Sequence, residues 1–181
     1  MSASTPAASA TTQGLPSWRG YLAALITIPA AALLTMVPHQ FLWGSGFANG
    51  WLDRQLFTAP IPLPKVALLL LMLASLALHE VIHGVGYTLF GRVSWNQVEF
   101  GARWTHLLVY ARCHAPLSRS ALLKALLLPA VVLGMVPAAV GLAFGLGWLT
   151  WYGFMLLVFA TGDFCTLWRM WRERALRCGE G

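Results

Sequence analysis

The sequence predicts an all-α integral membrane protein of about four transmembrane helices, with a β-hairpin-like loop on the cytoplasmic side between the second and third. Two observations predict that class. Of 181 residues, 58% are hydrophobic and only 10% are charged, with a mean hydropathy of +0.67, whereas a soluble domain carries about 25% charged residues. The apolar residues also fall into long runs, and about 20 such residues are what a helix needs to cross a hydrocarbon core of about 30 Å.

In chain order, residues 1–18 (MSASTPAASATTQGLPSW) contain no charged side chain and little that can pack, so they predict a disordered tail. The next segment, an apolar run from Gly20 to Trp43 preceded by Arg19, has a cleaved signal peptide as its rival reading. The run is longer than the ~7–15 residues of a secretory core. It predicts an uncleaved first span over 20–43, kinked at Pro29 and Pro38. The punctuation PIPLPK opens a second span over 64–91, which ends at Gly91-Arg92. From Ala121 to Trp168 the chain is almost continuously apolar, and as one helix it would reach about 70 Å, over twice the bilayer core. It must fold back on itself. The turn is predicted in GLGWLTW, 145–151, which divides it into spans over 121–144 and 148–168. A single membrane domain over 19–172 and a basic tail over 173–181 complete the organisation. Cys113, Cys165 and Cys178 have neither paired nor metal-knuckle spacing and predict no disulfide framework.

With the amino terminus in the cytoplasm, all twelve Lys and Arg except Arg54 and Lys65 fall on the cytoplasmic side. The positive-inside rule therefore predicts that both termini are cytoplasmic. Topology and attraction to the lipid bilayer account for the net charge of +6. No nucleic acid partner is required.

Residues 93–119 differ in character. VEF alternates, Gly101 offers a turn, and 103–114 reads as a strand. On that strand Trp104, His106, Leu108, Tyr110, Arg112 and His114 share one face, and the more apolar Arg103, Thr105, Leu107, Val109, Ala111 and Cys113 share the other. A hairpin on or dipping into the cytoplasmic half of the bilayer fits this pattern, and a plain surface loop is the alternative.

The chemistry is concentrated in HEVIHG, residues 79–84, on the second span. Histidines four apart on a helix lie about 40° apart around it and about 6 Å apart along it, so both imidazoles share a face. His79 and His83 can thus bind one Zn²⁺, with Glu80 beside the metal's open position as general base. Each ionisable residue at mid-span costs roughly 2.5 kcal/mol or more, so such residues mark function by default.

A third protein ligand is needed, and the only other acid inside a predicted span is Asp163, in FATGDFC. Measured along the helices, His83 and Asp163 fall about 13 and 9 Å from their cytoplasmic ends, by the positions of Arg92 and Arg169. The second and fourth spans run the same way, so the depths agree. Gly162 is expected to admit a neighbouring helix. Glu99 is a competing ligand, and Thr161 or Thr166 could instead satisfy a merely structural Asp163. His106, Arg112 and His114 share a strand face and are candidate substrate contacts; His39 reads as structural or interfacial, and Cys165 as small apolar filler.

HEVIHG, together with CHAPLS after the hairpin, LLLPAVVLG in the third span and TGD in the fourth, resembles the small bacterial zincin membrane peptidases over roughly 65–175. That family is similar to the site-2 protease group of intramembrane metalloproteases. The resemblance implies a bacterial inner-membrane location, His79, His83 and Asp163 as zinc ligands, and Glu80 as general base. One departure is that glycine precedes the aspartate here, where well-studied site-2 proteases have glycine after it.

The function expected is a zinc-dependent intramembrane endopeptidase acting on a membrane protein or peptide substrate. A non-catalytic metal-binding protein (transporter or sensor) would need the two histidines and the aspartate but not Glu80. A structural scaffold would need none of the four.

Overall fold

The computed structural model describes residues 18–44, 51–58, 60, 62–103 and 108–178. The chain is mostly helical, with a small two-stranded sheet. In order come α1 (Trp18–Trp43), the short α2 (Trp51–Phe57), α3 (Pro62–Gly91), a 3₁₀ turn (Trp95–Gln97), β1 (Val98–Arg103), β2 (Leu108–Cys113), α4 (Arg119–Pro129), a π-helical segment (Ala130–Met135), α5 (Val136–Phe144), α6 (Gly147–Phe159) and α7 (Thr161–Cys178). The tail expected over 1–18 lies outside the described residues up to Trp18, where α1 begins.

Among the described residues, three helices are long and apolar enough to cross a membrane: Ala24–Trp43, Pro62–Gly91 and Arg119–Phe144. The first is one unbroken helix through Pro29 and Pro38. The third continues through the π-helical segment, where the Val136 N–H bonds the Val131 carbonyl, five residues back. That widened turn lies just before Pro137, whose missing N–H prevents an ordinary α-helical bond at its position.

The expected fourth span, 148–168, is not one straight helix. It is broken at Ala160 into α6 and α7, which meet at 45° and are long and apolar enough to cross only as a pair. The fold-back between α5 and α6 falls within the expected turn, where Gly145 takes φ +67°, a left-handed conformation that suits glycine. α7 runs on through Cys178, into the segment expected to be a tail.

α2 secures the far end of α6. The carboxylate of Asp53 accepts the Trp148 N–H at 2.6 Å and the Gly147 N–H at 3.3 Å, satisfying two of the donors a helix start leaves open. Fully buried His39 bonds Thr150 Oγ1 through Nδ1 at 3.0 Å beside it, which gives His39 a structural part. Mid-bundle, Ser75 on α3 and Tyr152 on α6 share a buried hydrogen bond of 2.6 Å.

Around these bonds the described residues form three core clusters. Ala31, Ala130, Leu157 and Ala160 join α1 to the α6–α7 break. Met72, Leu133, Tyr152 and Leu156 fill the space between α3 and α6. Tyr87, Val98 and Ala125 seal the hairpin against α3 and α4.

The hairpin is antiparallel, with Val98 opposite Cys113, Glu99 opposite Arg112 and Phe100 opposite Ala111. Cross-strand partners share a face, so Val98, Phe100, Ala111 and Cys113 form the one that packs toward α3 and α4. Glu99, Tyr110, Arg112 and His114 occupy the other.

Candidate metal centre

The i, i+4 spacing on α3 brings the two imidazoles together, with His79 and His83 ring centroids 4.8 Å apart at 78°. Both histidines are buried and Glu80 is half-buried. Ligand atoms of His79, Glu80 and His83 all lie within 4.8 Å of one another, a group that could hold a metal ion.

Asp163 arrives from the first turn of α7. Its Oδ2 lies 2.9 Å from His79 Nε2 and its Oδ1 3.2 Å from His83 Nε2. The break at Ala160 makes this placement, because α7 restarts there with the Asp163 N–H on the Ala160 carbonyl at 3.0 Å. Thr161 and Thr166 do not satisfy the carboxylate; their hydroxyls donate to the carbonyls of Val158 and Gly162. The close helix contact expected at Gly162 is absent, since a methyl group added there would meet nothing within 4 Å. Such an approach occurs instead at Gly86, whose added Cβ would stand 2.8 Å from Ala125 Cα.

That closeness sets up the next contact. With α4 against α3, the Ala125 carbonyl comes 3.0 Å from His83 Nδ1. A carbonyl can only accept, so Nδ1 carries a proton and Nε2 is the ring atom turned toward Asp163. Nε2 and the carboxylate oxygen stand 3.2 Å apart, and with the ring neutral a cation between them would satisfy both. Zinc bonds of about 2.0–2.1 Å set tetrahedral edges of roughly 3.3 Å, so separations of 2.9 and 3.2 Å between donors suit that ion. Two imidazoles and one carboxylate are also the donor types of a catalytic zinc site, and the Ala125 carbonyl orients one of them from behind. Tyr87, one turn beyond His83, stacks on it with centroids 6.3 Å apart.

Glu80 is held from a different direction. Its Oε2 accepts the Ala111 backbone N–H of β2 at 2.8 Å. This carboxylate stands beside the donor set yet is tied to the hairpin.

The remaining candidates are elsewhere. Glu99 pairs with His114 at 2.8 Å on the hairpin's outer, exposed face, so it does not complete the donor set. Arg112 shares that face and stacks over Tyr110 at 4.7 Å. The geometry thus turns Arg112 and His114 away from α3, because Phe100 and Ala111 occupy the inward face. His106 lies outside the described residues. Cys165 is a half-buried free cysteine and is not part of the metal-compatible group. Sequence reasoning missed Ala111 and Ala125, which act through their backbones and leave no side-chain signal.

No curated protein and no solved structure matches the chain. A protein family does match, over residues 72–176. That stretch is more than half of the chain and takes in the HExxH segment, the hairpin and Asp163, so the chain belongs to the family described as "putative zincin peptidase".

Proposed function

We propose that this protein is a zinc-dependent intramembrane endopeptidase, similar in kind to the site-2 proteases. In this reading it crosses the bacterial inner membrane four times, the bent α6–α7 pair being the fourth crossing, with both termini cytoplasmic. Its substrates are membrane-embedded or membrane-adjacent peptides. The observation that carries the reading is Glu80, a carboxylate beside a His₂Asp donor set but anchored by the Ala111 amide. A protein that only stored or carried metal would have no use for it.

His79, His83 and Asp163 would hold the zinc, which would supply Lewis-acid chemistry for a water and the scissile carbonyl. Glu80 accepts the proton of the attacking water and passes it to the leaving amine. His83 keeps its Nε2 turned to the site through its bond to Ala125. The buried flank made by Tyr87, Val98 and Ala125 limits stray water around the reacting groups. A substrate helix must unwind to expose its backbone, and an extended segment can lie beside the hairpin.

Glu80→Gln tests the assignment. Glutamine keeps the shape and accepts the Ala111 N–H, but it cannot take a proton. The variant should fold and retain zinc while losing proteolysis of a transmembrane peptide by about 10²–10⁴-fold. Equal cleavage by wild type and Glu80→Gln would overturn the peptidase reading. A zinc-dependent phenotype that survives in Glu80→Gln cells, with no cleavage by either protein, would establish the metal-handling alternative.

A further inference from the structure

One cross-strand pair of the hairpin, Phe100 and Ala111, makes two contacts with α3 beside the Tyr87–Val98 packing. In an antiparallel ladder, residues alternate between turning both backbone groups toward the partner strand and turning both away. The His114 N–H bonds the Gln97 carbonyl, so the inward set on β2 runs through His114, Arg112 and Tyr110. Ala111, opposite Phe100, belongs to the outward set. Its N–H therefore takes no part in the ladder, and it points at Glu80 Oε2, 2.8 Å away.

The same pair makes the second contact. Phe100 lies against Gly84, one helical turn past Glu80, where an added Cβ would stand 2.5 Å from Phe100 Cζ. Trp95 backs the ring at a centroid distance of 5.6 Å. One cross-strand pair thus grips two successive turns of α3, by a backbone donor at Glu80 and a side chain at Gly84.

We propose that Ala111 is a positioning residue for the proton-transfer step: its backbone N–H ties down Oε2 of Glu80 and leaves Oε1 to take the proton, while the Phe100–Gly84 contact holds that amide in place. The catalytic consequence rests on the peptidase reading above. Glutamate has a long, freely rotating side chain, and an anchored oxygen removes the search for a productive orientation at each turnover. The hairpin does not need this bond to stay docked, because the cluster of Tyr87, Val98 and Ala125 already packs it. Lifting the hairpin would release the base without disturbing the metal ligands, which lie on α3 and α7.

Two measurements test this. The first is amide exchange at Ala111 in metal-free protein in detergent, which needs no activity. Exchange should be slow in wild type and in Glu80→Gln, whose side-chain carbonyl still accepts, and at least about tenfold faster in Glu80→Ala. Equal exchange in all three overturns the proposal.

The second uses Ala111→Pro. Proline at an outward-facing strand position removes the donor without removing a ladder bond. Turnover of a quenched-fluorescent transmembrane peptide should fall about tenfold or more, with KM and zinc stoichiometry unchanged. Undiminished turnover overturns the proposal, and a fall in zinc content would point to a merely structural contact and overturn it equally. Where Ala111→Pro loses its helical circular dichroism, replacing residue 111 by lactate, its ester analogue, deletes the same N–H with no change of shape and is read in the same way. A wild type that shows the exchange pattern but cleaves no peptide overturns the catalytic role together with the peptidase reading, while the Glu80–Ala111 contact stands.

Discussion

Asp163 and His79, 84 positions apart in the chain, meet with Oδ2 and Nε2 separated by 2.9 Å. The same carboxylate reaches His83 through its other oxygen. Three side chains from two helices are thereby focused on one point, and most of the behaviour expected of this protein depends on that focus.

Purified protein should bind about one equivalent of zinc, as three convergent donors require. His79→Ala combined with His83→Ala should abolish binding, and Asp163→Ala should weaken it along with activity. Because metal held only by the folded state stabilises it, chelation should lower the melting temperature of wild type but not of the double variant. Stoichiometric zinc in the double variant would remove the site assignment.

The orientation of His83 depends on how closely α4 packs. Gly86→Leu would force Ala125 away, since even a Cβ would stand 2.8 Å from its Cα, and with it the carbonyl that fixes the imidazole. Loss of such an outer partner typically costs about 10–100-fold in metal affinity. Competition titration against a chelator would measure it, and an unchanged affinity in a folded Gly86→Leu would show that the Ala125 contact is dispensable.

At the other end of the bundle, Asp53→Ala strips the α6 start of its two capping bonds. A lost helix cap costs about 0.5–2 kcal/mol. Thermal unfolding in detergent should show a lower midpoint, with zinc stoichiometry unchanged in the folded fraction. A fall in zinc content at full stability would contradict this division of labour.

Single cysteines placed near 53 should be labelled from outside intact cells, whereas positions near 103 and 178 should be labelled only after permeabilisation. The distribution of Lys and Arg is the basis. External labelling of Cys178 would invert the proposed topology.

The HExxH spacing made the geometry of His79, Glu80 and His83 legible, because helical periodicity alone puts both imidazoles on one face. Asp163 was legible through scarcity, as an acid within an apolar run. The break that delivers it was not: residues 154–165 contain no proline, and the buried Ala160 at the bend carries no local sign of it. The hairpin's alternation was readable, but its inward face was open until Phe100 met Gly84. His114 therefore turned out to pair with Glu99 on the outer surface. The Asp53 cap joins residues about 95 positions apart, and neither partner carries a local sign of the other.

The separation between Asp163 and the histidines also orders events during synthesis. α3 leaves the ribosome complete with both imidazoles and Glu80, but the carboxylate that joins them comes only with α7. A nascent chain ending before Thr161 holds two of the three donors and should retain zinc poorly. On the proposed reading, metal capture then waits for α7, and the peptidase would stay inactive until that helix is in place. Truncations that remove α7 should consequently yield a membrane-inserted but metal-poor protein, however well α1 to α6 pack.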